Sequence, residues 1–478
     1  MRLVPALALV VLVALAGCNL PAGIGGTDPG ADEGEGATLP DPETDRVGWE
    51  NGYWHNETLD VTNEDGLAAD EREAVVARAM ARVEYVRDAE FEETVPVDII
   101  SRAEFRERGD SNHSAAFRTF DNAKFEALML IGEDTDSLAV QEGNSGSNVL
   151  GFYAPGNDSI KIVAESDSPS LDGEGTLAHE LVHALQDQRH NLSSLRGDTR
   201  DGVNGRNGLI EGEASVVQDR YTARCGGAWT CIESSEESQS GVGEDFHWGV
   251  YYLNFFPYSD GPGFVRHLVR QGGWDAVDAA FEDPPESAGQ VIYPARYTDR
   301  DPPANVTLTD TATGEWARVR PDRDRPDYAV FGQSALTSMF AYTLHDEDRQ
   351  PVVDPRSFVN VEDGSVNSSD PYDYALDVTS GWEGDRLHVY QRDADTNETA
   401  YVWRLEWDSP GEAREFARGY RALLNYWGAE SAGGQADTYR IPETDAFGDA
   451  FRVDRSGATV TITNAPTVGD LSAVRPEA

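Results

Sequence analysis

One stretch of the chain carries residues spaced for chemistry: Thr176-Leu177-Ala178-His179-Glu180-Leu181-Val182-His183-Ala184-Leu185-Gln186. Residues four apart on a helix stack on one face, so His179 and His183 can aim their imidazoles at one ion. Glu180 cannot share that coordination sphere, but it can reach a water on the metal. Two nitrogen ligands and a general base within five residues suit zinc-assisted hydrolysis. With 9 His in 478 residues, chance would supply roughly 0.01–0.02 such patterns, so we read this one as a site. The apolar flanks Leu177, Ala178, Leu181, Val182 and Leu185 predict a buried helix, where two His without a purpose would be costly.

A catalytic zinc needs a third protein ligand and an open position for water. Downstream, Leu209-Ile210-Glu211-Gly212-Glu213-Ala214-Ser215 offers two carboxylates. Glu211 sits among apolar neighbours in a core-facing register, as expected of a ligand rather than a solvated acid. Glu213 competes, but two residues on it points to a different helix face, so the pair should not ligate together. Gly202, Gly205 and Gly208 read as part of a loop leading into this second helix.

His179-Glu180-Leu-Val-His183 followed by Glu211-Gly-Glu-Ala resembles the gluzincin metallopeptidases, in which a Glu from a second helix completes the zinc site. The Glu-Gly-x-Ala pattern is similar to their third-ligand motif and favours Glu211 over Glu213. His183-Ala-Leu-Gln-Asp-Gln188, Gly272-Gly-Trp274, Pro284-Pro-Glu-Ser287 and Gly381-Trp-Glu-Gly-Asp385 look like a narrower group of exported zincin-like proteins. The nearest of these is a haloarchaeal surface lipoprotein family. The resemblance covers residues 70–300 well and the C-terminal part weakly.

The resemblance implies an α+β fold with a zincin-like core, a small mixed sheet plus active-site helices, followed by a smaller α+β C-terminal domain. The sheet's edge strand would border the cleft. The implied cofactor is Zn2+, held by His179, His183 and Glu211, with Glu180 as catalytic base and a peptide or protein as substrate. Gluzincin peptidases also carry a downstream His or Tyr that stabilises the oxyanion. His247, Tyr251, Tyr252, Tyr258 and Tyr293 are the candidates, and spacing does not choose among them. The alternative is a catalytically inactive zincin-like surface protein binding peptide or glycan. In that reading Trp382, Trp403, Trp407 and Trp427 could form the binding face, although buried Trp at strand positions is the commoner meaning. Gln186 and Asp187 read as polar residues of the helix surface.

Hydrophobic period predicts the elements that hold these residues. Residues 47–62 read as a small hairpin. Val75, Ala79, Val83 and Val86 give a helix over 69–87, and 94–101 a strand. Helices follow at 119–131, 174–190 and 208–224, and then at 246–256, 261–271 and 274–281. Two β-prone runs, 149–154 and 159–164, flank Pro155-Gly156-Asn157-Asp158 as a hairpin. This hairpin is the candidate sheet edge, where an extended peptide could pair. After about residue 301 the chain reads as a separate unit. It has a helix at 332–345, strands at 387–391 and 399–407, an amphipathic helix at 411–427 and a strand pair around Ser456-Gly457.

The first residues place the chain in the cell. Arg2, an apolar run from Leu3 to Gly17 and the ending Leu15-Ala16-Gly17-Cys18 describe residues 1–17 as a lipoprotein signal peptide with lipidation at Cys18. Residues 18–46, rich in Gly, Pro, Asp and Glu, read as an acidic disordered tether. The metallopeptidase domain then spans 47–300 and the C-terminal domain 301–478. In an exported chain Cys225 and Cys231 most simply form a local disulfide. Glycosylation candidates are Asn56, Asn112, Asn157, Asn191, Asn305, Asn367 and Asn397, each marking an exposed loop if used.

The formal charge of −48 argues against nucleic-acid binding by a basic footprint. Lys124 and Lys161 are the only lysines among 38 cationic residues, and such an acidic, lysine-poor surface suits a high-salt solvent. The expected location is the extracellular face of the cell membrane, reached through the lipid anchor only, with the protein a monomer.

Overall fold

The computed structural model describes residues 39–476 except 102, 106–112, 147–150, 165–169, 172, 196, 234–245, 322–324, 347, 393–397, 433 and 435. The signal peptide, Cys18, residues 19–38 of the tether, Asn112, Asn397 and most of the acidic stretch 232–245 lie outside the described residues.

Strands β1 (Trp49–Glu50) and β2 (Tyr53–Trp54) form a hairpin ahead of helix α1 (Ala69–Arg87). Strand β3 (Val97–Ile100) precedes helices α2 (Ala115–Ala127) and α3 (Ser137–Gly146). The hairpin of β4 (Gly151–Ala154) and β5 (Ser159–Val163) follows. β5 pairs in parallel with β3 and antiparallel with β4, so the sheet is mixed and β4 lies at its edge.

Helix α4 (Glu174–His190) ends where Asn191 turns into the left-handed region at φ 52°. Helix α5 (Arg200–Thr222) starts at Thr199, whose hydroxyl accepts from the Gly202 N–H at 3.2 Å. Helices α6 (Trp248–Gly272) and α7 (Trp274–Glu282) follow, then the short α8 (Ala288–Ile292) and α9 (Pro294–Thr298).

Toward the C-terminus come β6 (Ala317–Arg318), α10 (Gly332–Ala341), α11 (Pro355–Phe358) and the small pair β7 (Val361–Glu362) and β8 (Ser365–Val366). Next are β9 (Trp382–Gln391), β10 (Thr399–Trp407), α12 (Pro410–Tyr426), β11 (Glu430–Ser431) and β12 (Thr438–Arg440). β13 (Ala450–Ser456), β14 (Thr459–Ala465) and α13 (Leu471–Val474) complete the described chain. Seven of these strands form one antiparallel sheet in the order β11-β12-β13-β14-β10-β9-β6. The protein is therefore mixed α+β. Among the described residues no helix is long and apolar enough to cross a membrane.

The two-residue period of β10 sorts its side chains between two cores. Tyr401, Trp403 and Leu405 enter a large core with α6, α10 and α12, whereas Ala400 and Val402 pack with Trp316, Leu471 and Val474 on the other face. Trp382, Trp403 and Trp407 are buried, so these three build the interior rather than a binding face. A further cluster joins α1, α4 and the β3-β5-β4 sheet with Ala214, Val217 and Tyr221 of α5. The large core runs across residue 300: Leu209, Val250 and Phe264 share it with Leu336, Trp403 and Phe416. The stretches on either side of the expected boundary thus have a common interior.

Three expectations change. The glycines read as a loop lie within α5, because they serve as contact points. A Cβ on Gly205 would stand 2.7 Å from the Ser287 nitrogen, and one on Gly212 would stand 2.4 Å from the Gly261 carbonyl oxygen. Only glycine permits that backbone approach, and the burial it allows offsets its poor helix propensity. Residues 246–271 form one helix rather than two; Pro257 and Pro262 lie inside α6. Asn56 is only 5% exposed and closed to a glycan in this fold, whereas Asn157, Asn191 and Asn305 are exposed and Asn367 is half-buried.

Candidate metal centre

Buried charge fixes how the helices under the site pack. Glu174, at the start of α4, accepts from Arg78 at 2.9 Å and Arg82 at 2.6 Å, both on α1, and from Tyr221 of α5. The carboxylate has its partners in place, which a buried charge requires. Cys225 and Cys231, just beyond α5, are joined in a disulfide with Cα atoms 5.4 Å apart.

On this support His179 and His183 stand one turn apart on α4, with ring centroids 4.8 Å apart. Glu211 of α5 faces both. Its Oε2 lies 3.2 Å from His179 Nε2 and 3.2 Å from His183 Nε2. The three side chains are 12%, 12% and 16% exposed, enclosed but reachable. They are one of two groups among the described residues that bring three such donors within 4.8 Å of one another.

Each histidine is oriented through its other nitrogen. His179 Nδ1 donates to Gln218 Oε1 at 3.1 Å, and His183 Nδ1 donates to Gln186 Oε1 at 2.9 Å. Both Nε2 atoms are thereby turned toward Glu211, to which a protonated ring donates and beside which a neutral ring can offer its lone pair to a metal. Burial alone would lower the His183 pKa, but the Glu211 carboxylate, with Glu180 and the Gln186 bond, raises it to about 9. Burial alone would raise that of Glu211, and the two histidines hold it below the usual carboxylate range.

Glu213 points elsewhere. It accepts from Arg87 of α1 and from Gln186 Nε2, the latter at 2.8 Å. Its carboxylate therefore belongs to a buried chain His183–Gln186–Glu213–Arg87 behind the site. Gln186 is buried, not a surface residue as its sequence position suggested. Asp187 caps the chain beyond α4, accepting from Leu192 N at 2.7 Å, and accepts from the Tyr153 hydroxyl at 2.9 Å.

Glu180 lies against the sheet edge. Its Oε2 accepts from the Tyr153 backbone N–H of β4 at 2.7 Å. That N–H points off the edge strand, so the Glu180 carboxylate sits against the open edge of β4.

Of the five candidate oxyanion donors, Tyr258 is the one beside the cluster. Its ring stacks 6.2 Å from the His179 ring, and it is 40% exposed. The Glu211 charge, and after it the Glu180 charge, push its phenol well above the ordinary tyrosine range. The others have structural partners. His247 caps α6 and meets the Leu130 carbonyl at 2.8 Å, Tyr252 bonds His345, and Tyr293 accepts from Gln333 at 3.1 Å. Tyr251 packs among Phe246, Trp248 and Phe255. Tyr258 is held near Glu211 by the glycine crossing: a Cβ on Gly261, one turn along α6, would stand 2.5 Å from the Gly208 carbonyl oxygen.

Sequence reasoning did not single out Gln218 or Arg87. Gln218 lies seven residues after Glu211, two turns along the same face, and that spacing is a legible signal. Nothing in the local sequence marks Arg87, which reaches Glu213 across 126 residues.

Residues 318–475 match a family described as Domain of unknown function (DUF8575). His179, Glu180, His183 and Glu211 all lie outside the matched stretch. No curated protein and no solved structure matches the chain.

Proposed function

We propose that this chain is a zinc-dependent peptidase held at the outer face of the cell membrane by a lipid on Cys18. The observation that carries the reading is the meeting of His179, His183 and Glu211 beside Glu180. Two donors each about 2.0–2.1 Å from a tetrahedral zinc sit about 3.3 Å apart, and the two histidine nitrogens each stand 3.2 Å from Glu211 Oε2. Two imidazoles and one carboxylate form a donor set that suits Zn2+ and leaves a fourth position open. The mixed sheet with β4 at its edge, next to α4, is in keeping with a zincin-like core.

Bound zinc would lower the pKa of a water and polarise the substrate carbonyl. Glu180 accepts the proton of the attacking water and delivers it to the departing amine. The Tyr153 N–H holds the Glu180 carboxylate where this exchange takes place. An extended peptide laid along β4 runs past Glu180, with backbone pairing supplying register. The Tyr258 hydroxyl, beside Glu211 and the His179 ring, stabilises charge developing on the carbonyl oxygen.

The test is zinc content and cleavage of a diverse peptide pool by protein purified in high salt. Wild type is expected to hold one zinc and cleave. Glu180→Gln should keep the zinc and lose activity by about 10²–10⁴-fold, and His179→Ala should lose both. Zinc without cleavage in the wild type would leave an inactive peptide- or glycan-binding protein; no zinc would overturn the site. Cys18→Ser should release the protein from membranes into the medium.

A further inference from the structure

Far along the chain from the histidines, a second group of oxygen donors gathers where α2 meets the C-terminal sheet. Glu126 lies in the last turn of α2, Glu133 in the loop beyond it, and Asp449 immediately before β13. Each offers a carboxylate oxygen within 4.8 Å of the other two. Glu126 is 3% exposed and Asp449 1%, whereas Glu133 opens to solvent. The loops are pressed together at a glycine: a Cβ on Gly132 would stand 2.2 Å from the Ala446 carbonyl oxygen, which accepts from the Glu133 N–H at 3.2 Å.

Among the described residues no ion pair balances these acids, and Arg440, which attracts Asp449, is paired with Glu443. By contrast, the chain pairs its buried Glu174 and Glu213 with arginines. Two buried acceptors also lack partners. Glu126 Oε1 and Asn464 Oδ1 are fully enclosed and accept no hydrogen bond. Asn464 is fully buried, and its Nδ2 donates to Asp449 Oδ2 at 2.7 Å, which puts this amide beside the cluster. An unsatisfied buried acceptor costs about 1–3 kcal/mol, more when charged. A cation at the centre gives the bare Glu126 oxygen a partner and balances the gathered carboxylates.

We propose that Glu126, Glu133 and Asp449, with the side-chain oxygen of Asn464, bind one calcium ion that clamps the end of α2 to the C-terminal sheet. The donors are all hard oxygens, with no imidazole or thiolate, which separates this site from a zinc site. Calcium takes carboxylate and amide oxygens at about 2.3–2.6 Å, so oxygens on opposite sides of it lie about 4.6–5.2 Å apart. Magnesium demands a tighter octahedron and keeps several waters, which an enclosed pair such as Glu126 and Asn464 does not accommodate.

The test is equilibrium dialysis of chelator-treated full-length protein against radioactive calcium in molar NaCl, paired with thermal melting. Wild type is expected to take up one tightly held calcium per chain and to melt higher with calcium than without. Glu133→Gln changes an exposed side chain and should fold; its calcium affinity should fall by about tenfold or more, by analogy with the loss of groups around a metal. Glu126→Gln should abolish the tight uptake. His179→Ala should leave calcium uptake intact, so this proposal and the zinc reading fail separately. Equal uptake by wild type and Glu133→Gln would show only diffuse attraction to an acidic surface and would overturn the proposal. A calcium-independent wild type that Glu126→Gln stabilises would overturn it in favour of carboxyls sharing a proton. Magnesium acting as strongly as calcium would overturn the assignment to calcium.

Discussion

Gln186 Oε1 lies 2.9 Å from His183 Nδ1, three residues back on the same helix, and so sets which nitrogen of that ring faces Glu211. The same amide donates to Glu213 at 2.8 Å and to the Ile210 carbonyl at 2.9 Å, which ties the ligand on α4 to the backbone beside Glu211 on α5. Replacing Gln186 by Leu keeps the bulk and removes the acceptor. Zinc affinity, read by competition with a coloured chelator, should weaken by about 10–100-fold. Wild-type affinity in a folded Gln186→Leu protein would show that the ring needs no such support.

Tyr258→Phe removes a hydroxyl and leaves the ring against His179. The expected outcome is a kcat lowered by about 10²–10³-fold, the loss typical of one oxyanion donor, with KM and zinc content near wild type. Steady-state kinetics on one cleaved peptide decide it. An unchanged kcat removes Tyr258 from the mechanism.

The crossing of α5 and α6 supplies a matched pair of substitutions. Gly261→Ala places a methyl 2.5 Å from the Gly208 carbonyl oxygen and should destabilise the fold by about 1–3 kcal/mol, as overpacking does. Gly263, two residues on in the same helix, has open space around its Cβ position. Gly263→Ala should instead stabilise by about 0.4–1 kcal/mol. Equal effects of the two in thermal or denaturant unfolding would mean that the helices do not cross at Gly261.

Zinc uptake should depend on pH with a defined sign. In the metal-free protein the His183 pKa stands at about 9, above the ordinary histidine value. The His183–Glu211 attraction therefore stabilises the metal-free fold fully below about pH 6.5 and fades as pH rises through about 9. Zinc takes the neutral ring, so binding at pH 7 expels a proton. Apparent affinity should climb about tenfold per pH unit up to about pH 9. Chelator competition at pH 6, 7 and 8 measures the slope, and a flat response contradicts the ion pair.

Local pattern was enough for much of the fold. The helix Ala69–Arg87, the helix Glu174–His190 and the β4–β5 hairpin are legible because their apolar residues repeat with the period of the element. The same holds for the facing of His179 and His183, since one helical turn is a local distance. It fails for the start of α5. Gly202, Gly205 and Gly208 look like breakers until Ser287, Val291 and Gly261 are seen pressed against that helix.

The acids divide along the same line. Composition alone reads the −48 as adaptation to salt, with Glu180 and Glu211 set apart by their apolar neighbours. Tertiary structure adds Glu174, Glu213, Glu126 and Asp449 to the acids that are not solvent adaptation, because it alone shows them buried. It also decides that Glu213 faces Arg87 and that Tyr258 stands beside His179. The physical reason is range. A residue's type and its neighbours four places away fix which side of a helix it occupies, whereas its electrostatic partner is chosen by contacts that span from 32 positions for His179 and Glu211 to 126 for Arg87 and Glu213.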